Sequence, residues 1–426
     1  MSTTGKRMEV LFEKAIETHE EQIQMLNLVE YQQPDGEDIQ TSGNTVWQTV
    51  EQHAPIIDGF DLTGQETDII EETVPMALGT PKNDLIEQQV DEMRNMSFWE
   101  RRGQTSGRRQ ASELNKRISQ LIVNTGSLYY NTNAASGYDA IAQGQAILNE
   151  RQKKKDDRRI VMLNDRDNLK YGQDLAGRQT LQGRPNDTWA TGQIGANVAG
   201  FDAFTGSFLP TLAGNAAADT TTTAALSDKP EGGTYNATTN TATNVDYRVS
   251  TLAVLSSANY AVGDRVKFVV GGNDVESLGL EDKTATGQAM TAVVTAIPNG
   301  TSLQVFPKLI AADDGALSTL EKAYANINTQ VASGATVEKL NTFAGTKKVN
   351  AFWCKGAVQV TGGDAPIELL NEYGGMKVVT STMSNGQKMY MVYDGSIDKL
   401  TLKCRLFTWY GETMLDPSAA GIFTTF

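Results

Sequence analysis

The sequence has only two histidines, His19 and His53, and two cysteines, Cys354 and Cys404, in 426 residues. Neither histidine has a second ligand at metal-binding spacing, and two distant cysteines add no zinc pattern. So few thiols predict free cysteines in a reducing cytoplasm and not a disulfide framework. No run of about 20 apolar residues occurs, so no membrane-spanning helix and no membrane partner are expected. The first residues run into Glu-rich sequence with no apolar core, which does not read as a signal peptide. Positive charge is also in deficit: 37 Lys and Arg stand against 51 Asp and Glu, a formal net charge of −14. That argues against a protein whose main task is to grip phosphates. It suits a soluble subunit whose copies repel one another until assembly is cued.

Catalytic patterns are missing as well. There is no Walker loop, because the Gly192-Gln193-Ile194-Gly195 stretch is not followed by Lys and Ser or Thr. No nucleophile elbow occurs, and no Ser or Cys comes with an obvious His and acid. Carboxylate pairs of the glycosidase kind need a spatial arrangement that a chain with 51 acids does not reveal by itself. The expectation is a protein that is not an enzyme, with no cofactor and no metal.

What is present is ample apolar material, 39% of the residues, in a chain too long for one ordinary domain. Two or three packed units are expected. Residues 5–30 read as an amphipathic helix, with Met8, Leu11, Phe12, Ala15, Ile16, Ile23 and Leu26 near a 3.6-residue period and Glu between them. Such a helix on a polar leash either docks elsewhere or packs on its own domain, and the sequence leaves both open. Residues 44–78 predict a long acidic hairpin. Its strand signals are Val46, Trp47 and Val50, its turns Asp58-Gly59 and Thr63-Gly64, and its return Asp68–Val74. Thr80-Pro81 predicts the start of a helix reaching toward Asn124, roughly 60 Å long, with Gly103 and Gly107 as places for a bend or break. Arg101, Arg102, Arg108 and Arg109 make its middle basic, either as a solvated face or as a surface for acidic neighbours or packaged DNA.

A further helix is predicted over 138–155 and a strand over 160–163. The composition then changes. Residues 215–246 are rich in Thr, Ala and Asn and cannot form a core alone. From there to 310 the pattern alternates strongly: Val266, Phe268 and Val270; Val293, Thr295 and Ile297; a Pro298-Asn299-Gly300 turn; then Leu303 and Val305. Several short strands at close spacing predict a small closed barrel, inserted at about 215–344 in an α+β parent chain. Beyond it, 351–360, 376–393 and 399–410 read as strands.

An ordered series of segments carries a family resemblance: Asn44-Thr45-Val46-Trp47 with Val50-Glu51-Gln52, Glu100-Arg101-Arg102, Gly126-Ser127-Leu128, Ala199-Gly200-Phe201-Asp202 with Leu209-Pro210, Asn244-Val245-Asp246, Gly263-Asp264-Arg265-Val266, Ala323-Tyr324-Ala325-Asn326-Ile327-Asn328-Thr329, Phe352-Trp353, and Cys404-Arg405 with Trp409-Tyr410-Gly411. In order and spacing these resemble the major coat proteins of short-tailed, lambda-related phages of the Salmonella and Shigella type.

The resemblance implies an α+β, Hong Kong 97-type capsid fold with an inserted small β-barrel domain. Its parts fall as N-terminal arm 1–43, extended loop 44–78, spine helix 79–128, the first part of the peripheral and axial domains 129–214, insert 215–344, and their second part 345–426. It implies a coat protein that assembles into hexamers and pentamers of itself with a scaffolding protein. The procapsid then expands as double-stranded DNA, held only non-specifically, enters through the portal protein. The expected places are the virion capsid and, during assembly, the host cytoplasm. Contacts between capsomers are expected from the insert loop, with Tyr235, Asn240, Asn244, Asp246 and Arg248 as candidates. That loop carries no charge from 235 to 244, so the family's ionic contact is in doubt there, while Asp246 and Arg248 remain able to pair. Glu9, Glu13, Glu17 and Glu20 are candidates for contact with scaffold or a neighbour, and Arg101, Arg102, Arg108 and Arg109 for facing the lumen. The alternatives are a bacterial nanocompartment shell of the same fold and a β-rich surface adhesin.

Overall fold

The computed structural model describes residues 3–34, 44–49, 53–64, 66, 69–89, 95–132, 137–153, 158–177, 195–214, 219–232, 234–236, 241–243, 246–396 and 398–425. It falls into two compact units. The first comprises Met1–Val46, Met76–Ser119 and Val358–Thr413; the second comprises Trp47–Pro75, Gln120–Ala357 and Met414–Phe426.

The first unit is built on a four-stranded antiparallel sheet in the order Lys377–Thr382, Lys388–Ser396, Thr401–Thr408, Lys82–Gln89. The last of these corrects the expectation of a helix from Thr80-Pro81. Lys82–Gln89 pairs residue for residue with Thr401–Thr408, from Gln89 opposite Thr401 to Lys82 opposite Thr408. Its inward positions include Asp84, Ile86 and Gln88 while Leu85 is 68% exposed, so the two-residue period is carried mostly by polar side chains. That hides it from a hydrophobicity reading. The long helix starts only at Met96, where the Asn95 side chain accepts from the Ser97 N–H at 3.1 Å, and runs unbroken to Thr125. At 1.5 Å per residue it is about 45 Å long, shorter than the sequence reading. An N-terminal helix, Thr3–Gln22, lays Met8, Leu11, Phe12 and Ala15 into a core with Trp99, Met389 and Leu406.

The second unit holds a six-stranded mixed sheet in the order Leu128–Asn131, Ala420–Thr424, Asn350–Cys354, Arg159–Leu163, Phe201–Thr205, Gly195–Val198. The strands at 350–354, 159–163 and 420–424 are buried at every position, as expected of strands covered on both faces. Tyr130 stacks on Phe423 with ring centroids 5.1 Å apart, and Phe352 packs against Phe423, Tyr130 and Phe201. Cys354 and Cys404 are both buried and free. The strand expected over 399–410 runs from Thr401 to Thr408, and two further strands, Tyr410–Met414 and Ala420–Thr424, follow it.

Residues 219–344 carry their own sheet, in the order Thr220–Thr221, Thr336–Lys339, Arg265–Val270, Thr291–Asn299, Ser302–Phe306, Ser250–Ala253. The two end strands meet. Thr223 donates to the Ala253 carbonyl and Leu255 to the Thr221 carbonyl, both at 2.9 Å, and Thr222 bridges Val254. The sheet thus closes on itself around Leu252, Val266, Phe268, Val294, Val305 and Val337.

Candidate assembly surfaces

The arm helix is seated by two glycines. A Cβ on Gly103 would lie 2.4 Å from the Leu11 carbonyl oxygen, and one on Gly107 would lie 2.3 Å from that of Ala15. These glycines neither bend nor break the long helix; they let a second helix backbone approach it. Beyond the helix, the Asn115 side chain accepts from the backbone of Gln24 and Met25 and donates to the Gln22 carbonyl, fixing the turn that follows. His19, fully buried, meets the Gln387 side chain at 3.2 Å. Burial holds its pKa below the ordinary histidine value. Of the two outcomes left open for this helix, packing on its own unit is the one seen. Its outer face remains acidic: Glu9, Glu13 and Glu17 are exposed, while Glu20 accepts from the Ser384 N–H at 2.6 Å.

Arg101, Arg108 and Arg109 are exposed on the long helix. Arg102 is not equivalent to them, because it is half-buried and pairs with Asp84 at 2.6 Å.

The acidic loop is bounded by a two-stranded ribbon of Thr45–Thr49 and Thr73–Ala77. Between them Ile56 is 92% exposed, Ile69 is 71% exposed and Phe60 projects fully into solvent. Tyr324 lies against the loop. Its hydroxyl donates to the Ile70 carbonyl at 2.8 Å and accepts from the His53 N–H at 3.2 Å, and the His53 ring meets its ring edge-on at 5.0 Å. Ile70 packs with Ile310 and Leu317. Tyr324 entered the sequence reading only as part of the resemblance; nothing in its local pattern signals a partner some 270 residues away.

In the insert, Arg248 and Asp246 do pair, through Nε–Oδ1 at 2.9 Å and Nη2–Oδ2 at 3.0 Å. The remaining nitrogen, Nη1, donates to the carbonyls of Met414 and Leu415, and the guanidinium lies over Phe306. This arginine is a brace within its own chain. Tyr235 lies on the strand Thr234–Asn236, which pairs with Thr241–Thr243; Asn240 and Asn244 lie outside the described residues. Asp264 and Arg265 are a pair that the sequence reading left without a role. Asp264 is paired with Lys339 at 2.5 Å and accepts from Asn341 at 2.8 Å. Arg265, fully buried, donates to the carbonyls of Val123 and Gly126 at the C-terminal end of the long helix, and to that of Gly263. The Val123 carbonyl is in the last turn of the helix, where carbonyls lack partners inside the helix, and a cation is the favourable charge there. Burial pulls the Arg265 pKa down to about 9.

Among the described residues no three of His, Cys, Asp and Glu stand together as metal ligands, and no helix is long and apolar enough to cross a membrane.

The family described as the P22 coat protein, gene protein 5, matches residues 1–425. The chain belongs to the P22 coat protein family. It is a major capsid protein, a subunit of a phage virion shell that associates with its own copies. The described elements mix helices and strands, in keeping with the α+β expectation. The nanocompartment and adhesin readings are set aside by it. Among solved structures the chain is similar to the capsid of cyanophage P-SCSP1u, at 11% identity and a TM-score of 0.44, with 94% of this chain and 86% of that one covered. It is also similar to a chain of Mycobacterium phage Che8, at 12% identity and TM-score 0.40 over 93% and 89%. A third is the mature capsid of bacteriophage PhiM1, at 10% and 0.42 over 93% and 85%.

Proposed function

We propose that this coat protein assembles with an internal scaffolding protein into a procapsid of hexamers and pentamers. That shell expands as double-stranded DNA enters through a portal, and the DNA is enclosed without sequence recognition. The observation that carries the reading is the apolar set Ile56, Phe60 and Ile69, held out in solvent on an acidic loop. Apolar area left in water forgoes about 25 cal/mol per Å², and a second copy of the chain is the cover a shell provides. The exposed Arg101, Arg108 and Arg109 are a candidate complement for the loop's Asp58, Asp61 and Glu66. The same arginines are the candidates for loose contact with packaged DNA, which is weak and salt-dependent in a chain of net charge −14.

For the scaffold, the acidic row Glu9, Glu13 and Glu17 favours a basic partner surface. The closed sheet of 219–344 is proposed as an inserted barrel domain, and its hairpin 234–243 as the inter-capsomer contact. Since Arg248 is committed within its own chain, that contact is polar and uncharged where Tyr235, Asn240 and Asn244 make it. Negative-stain microscopy of the chain expressed with and without its scaffolding protein tests the assembly. Uniform closed shells with scaffold and aberrant or spiral forms without it are expected. Uniform shells without any scaffold would remove the scaffold from the account.

A further inference from the structure

We propose that Tyr324 is a clasp: through it the closed sheet of 219–344 fixes residues 47–75 of its own chain in the course that presents Ile56 and Phe60 to a second copy. The proposal rests on the reading of that loop as a contact between copies and adds what sets its course.

A phenol hydroxyl has one proton and two lone pairs. Here the proton goes to the Ile70 carbonyl and a lone pair takes the His53 N–H. One side chain therefore ties the outgoing and the returning chain of the loop at the same point. Among the described residues the exposed large apolar side chains of the loop, Ile56, Phe60, Leu62 and Ile69, all lie between the tied positions. Below the tie the loop is held by close approach. A Cβ on Gly232 would lie 2.6 Å from the Glu71 carbonyl oxygen, so this backbone contact tolerates no side chain. The Glu72 carboxyl is half-buried nearby, and desolvation keeps its pKa above the ordinary value although Lys308 and Arg248 oppose the shift. Fixing the two ends of a loop before it meets its partner removes ordering entropy from the encounter, so the clasp makes assembly faster without touching the partner itself.

The test is hydrogen exchange on the full chain, free and without scaffold, read on peptides covering 50–56 and 68–74. Tyr324→Phe keeps the ring and its packing while removing both hydrogen bonds. Exchange at both peptides is expected to rise about tenfold, the size of one or two ordinary hydrogen bonds, with far-UV signal and thermal midpoint retained. Gly232→Ala, which pushes on the loop without altering Tyr324, is expected to loosen 68–74 as well. In the presence of scaffold, Tyr324→Phe should form closed shells several-fold more slowly. Unchanged exchange in Tyr324→Phe would overturn the clasp, and raised exchange with wild-type assembly rate would overturn its role in presenting the loop. Phe60→Asp separates the two readings: it should stop shells while leaving exchange at 50–56 unchanged. Normal shells from Phe60→Asp would remove the contact reading, and with it the presenting role, whatever the exchange shows.

Discussion

Asp264 and Lys339 are each only 3% exposed, and a buried pair of this kind shows its strength mainly when half of it is removed. Lys339→Met leaves the Asp264 carboxylate buried with only neutral donors and should cost about 3–5 kcal/mol. Asp264→Asn added to it restores part of the loss, because the unpaired carboxylate is gone while Arg265 keeps its carbonyl partners but loses the nearby carboxylate that favours its charge. Denaturant melts of the two singles and the double measure this, and additive losses would contradict it. His19 gives a pH signature. Its folded pKa lies below the ordinary 6.5, chiefly through burial, with Gln387, the Gly107 backbone and Glu20 opposing only in part. Below pH about 6.5 the unfolded chain thus binds a proton that the folded chain does not. Stability must fall as pH drops from there toward the folded pKa, by at most about 1.4 kcal/mol per pH unit. Half-buried Glu72 and Asp228, whose pKa values are raised by desolvation, act in the opposite sense and lose stabilisation as pH rises through those values. The difference between wild type and His19→Gln isolates the histidine. It should grow on acidification between pH 6.5 and 5, and parallel curves would show that His19 does not charge on unfolding. At this scale little was legible in the sequence. Gly263-Asp264-Arg265-Val266 stood out as a motif, but its partners, Lys339 and the carbonyls of Val123 and Gly126, are separated from it by 70 or more positions of chain.

Elements were legible where apolar side chains mark the period. The arm helix as far as Gln22, the strands at 265–270, 291–299 and 302–306, and the turn between the last two follow from spacing and turn chemistry alone, whereas the expected helix over 23–30 is a 3-10 turn, Met25–Leu28, followed by the strand Glu30–Gln32. Lys82–Gln89 failed because its inward positions are mostly polar and its partner strand lies more than 300 residues away. Gly103 and Gly107 were misread because glycine weakens an isolated helix, whereas here the space of the missing Cβ is filled by another backbone. That yields a contrast between two identical substitutions. Gly172, on the helix Asp165–Gly177, has nothing within 4 Å of where a Cβ would sit, so Gly172→Ala should stabilise by up to about 1 kcal/mol through helix propensity. Gly107→Ala gains the same propensity but forces the Ala15 backbone away, and overpacking of this kind costs about 1–3 kcal/mol. The net change should be destabilising, with loss of protection over residues 8–22. Equal stabilisation by both in thermal melts would contradict the packing account.

For the molecule as a whole, the sequence carried the class of protein more clearly than its working surfaces. The ordered segments from Asn44-Thr45-Val46-Trp47 to Trp409-Tyr410-Gly411 carried the resemblance to phage coat proteins, and the family match over 1–425 agrees. The surfaces were legible only as segments. That the loop's apolar residues stand in solvent, that the arm lies on its own unit, and that Arg248 turns inward are all matters of tertiary placement. The central claim is that the exposed loop is covered by another copy when the shell closes. Side-chain oxidative footprinting of Phe60 and Ile56, in the free chain and in purified closed shells, tests this most directly. The account predicts strong labelling in the free chain and protection in the shell. Equal labelling in both, or no closed shells under any condition of co-expression, would contradict it.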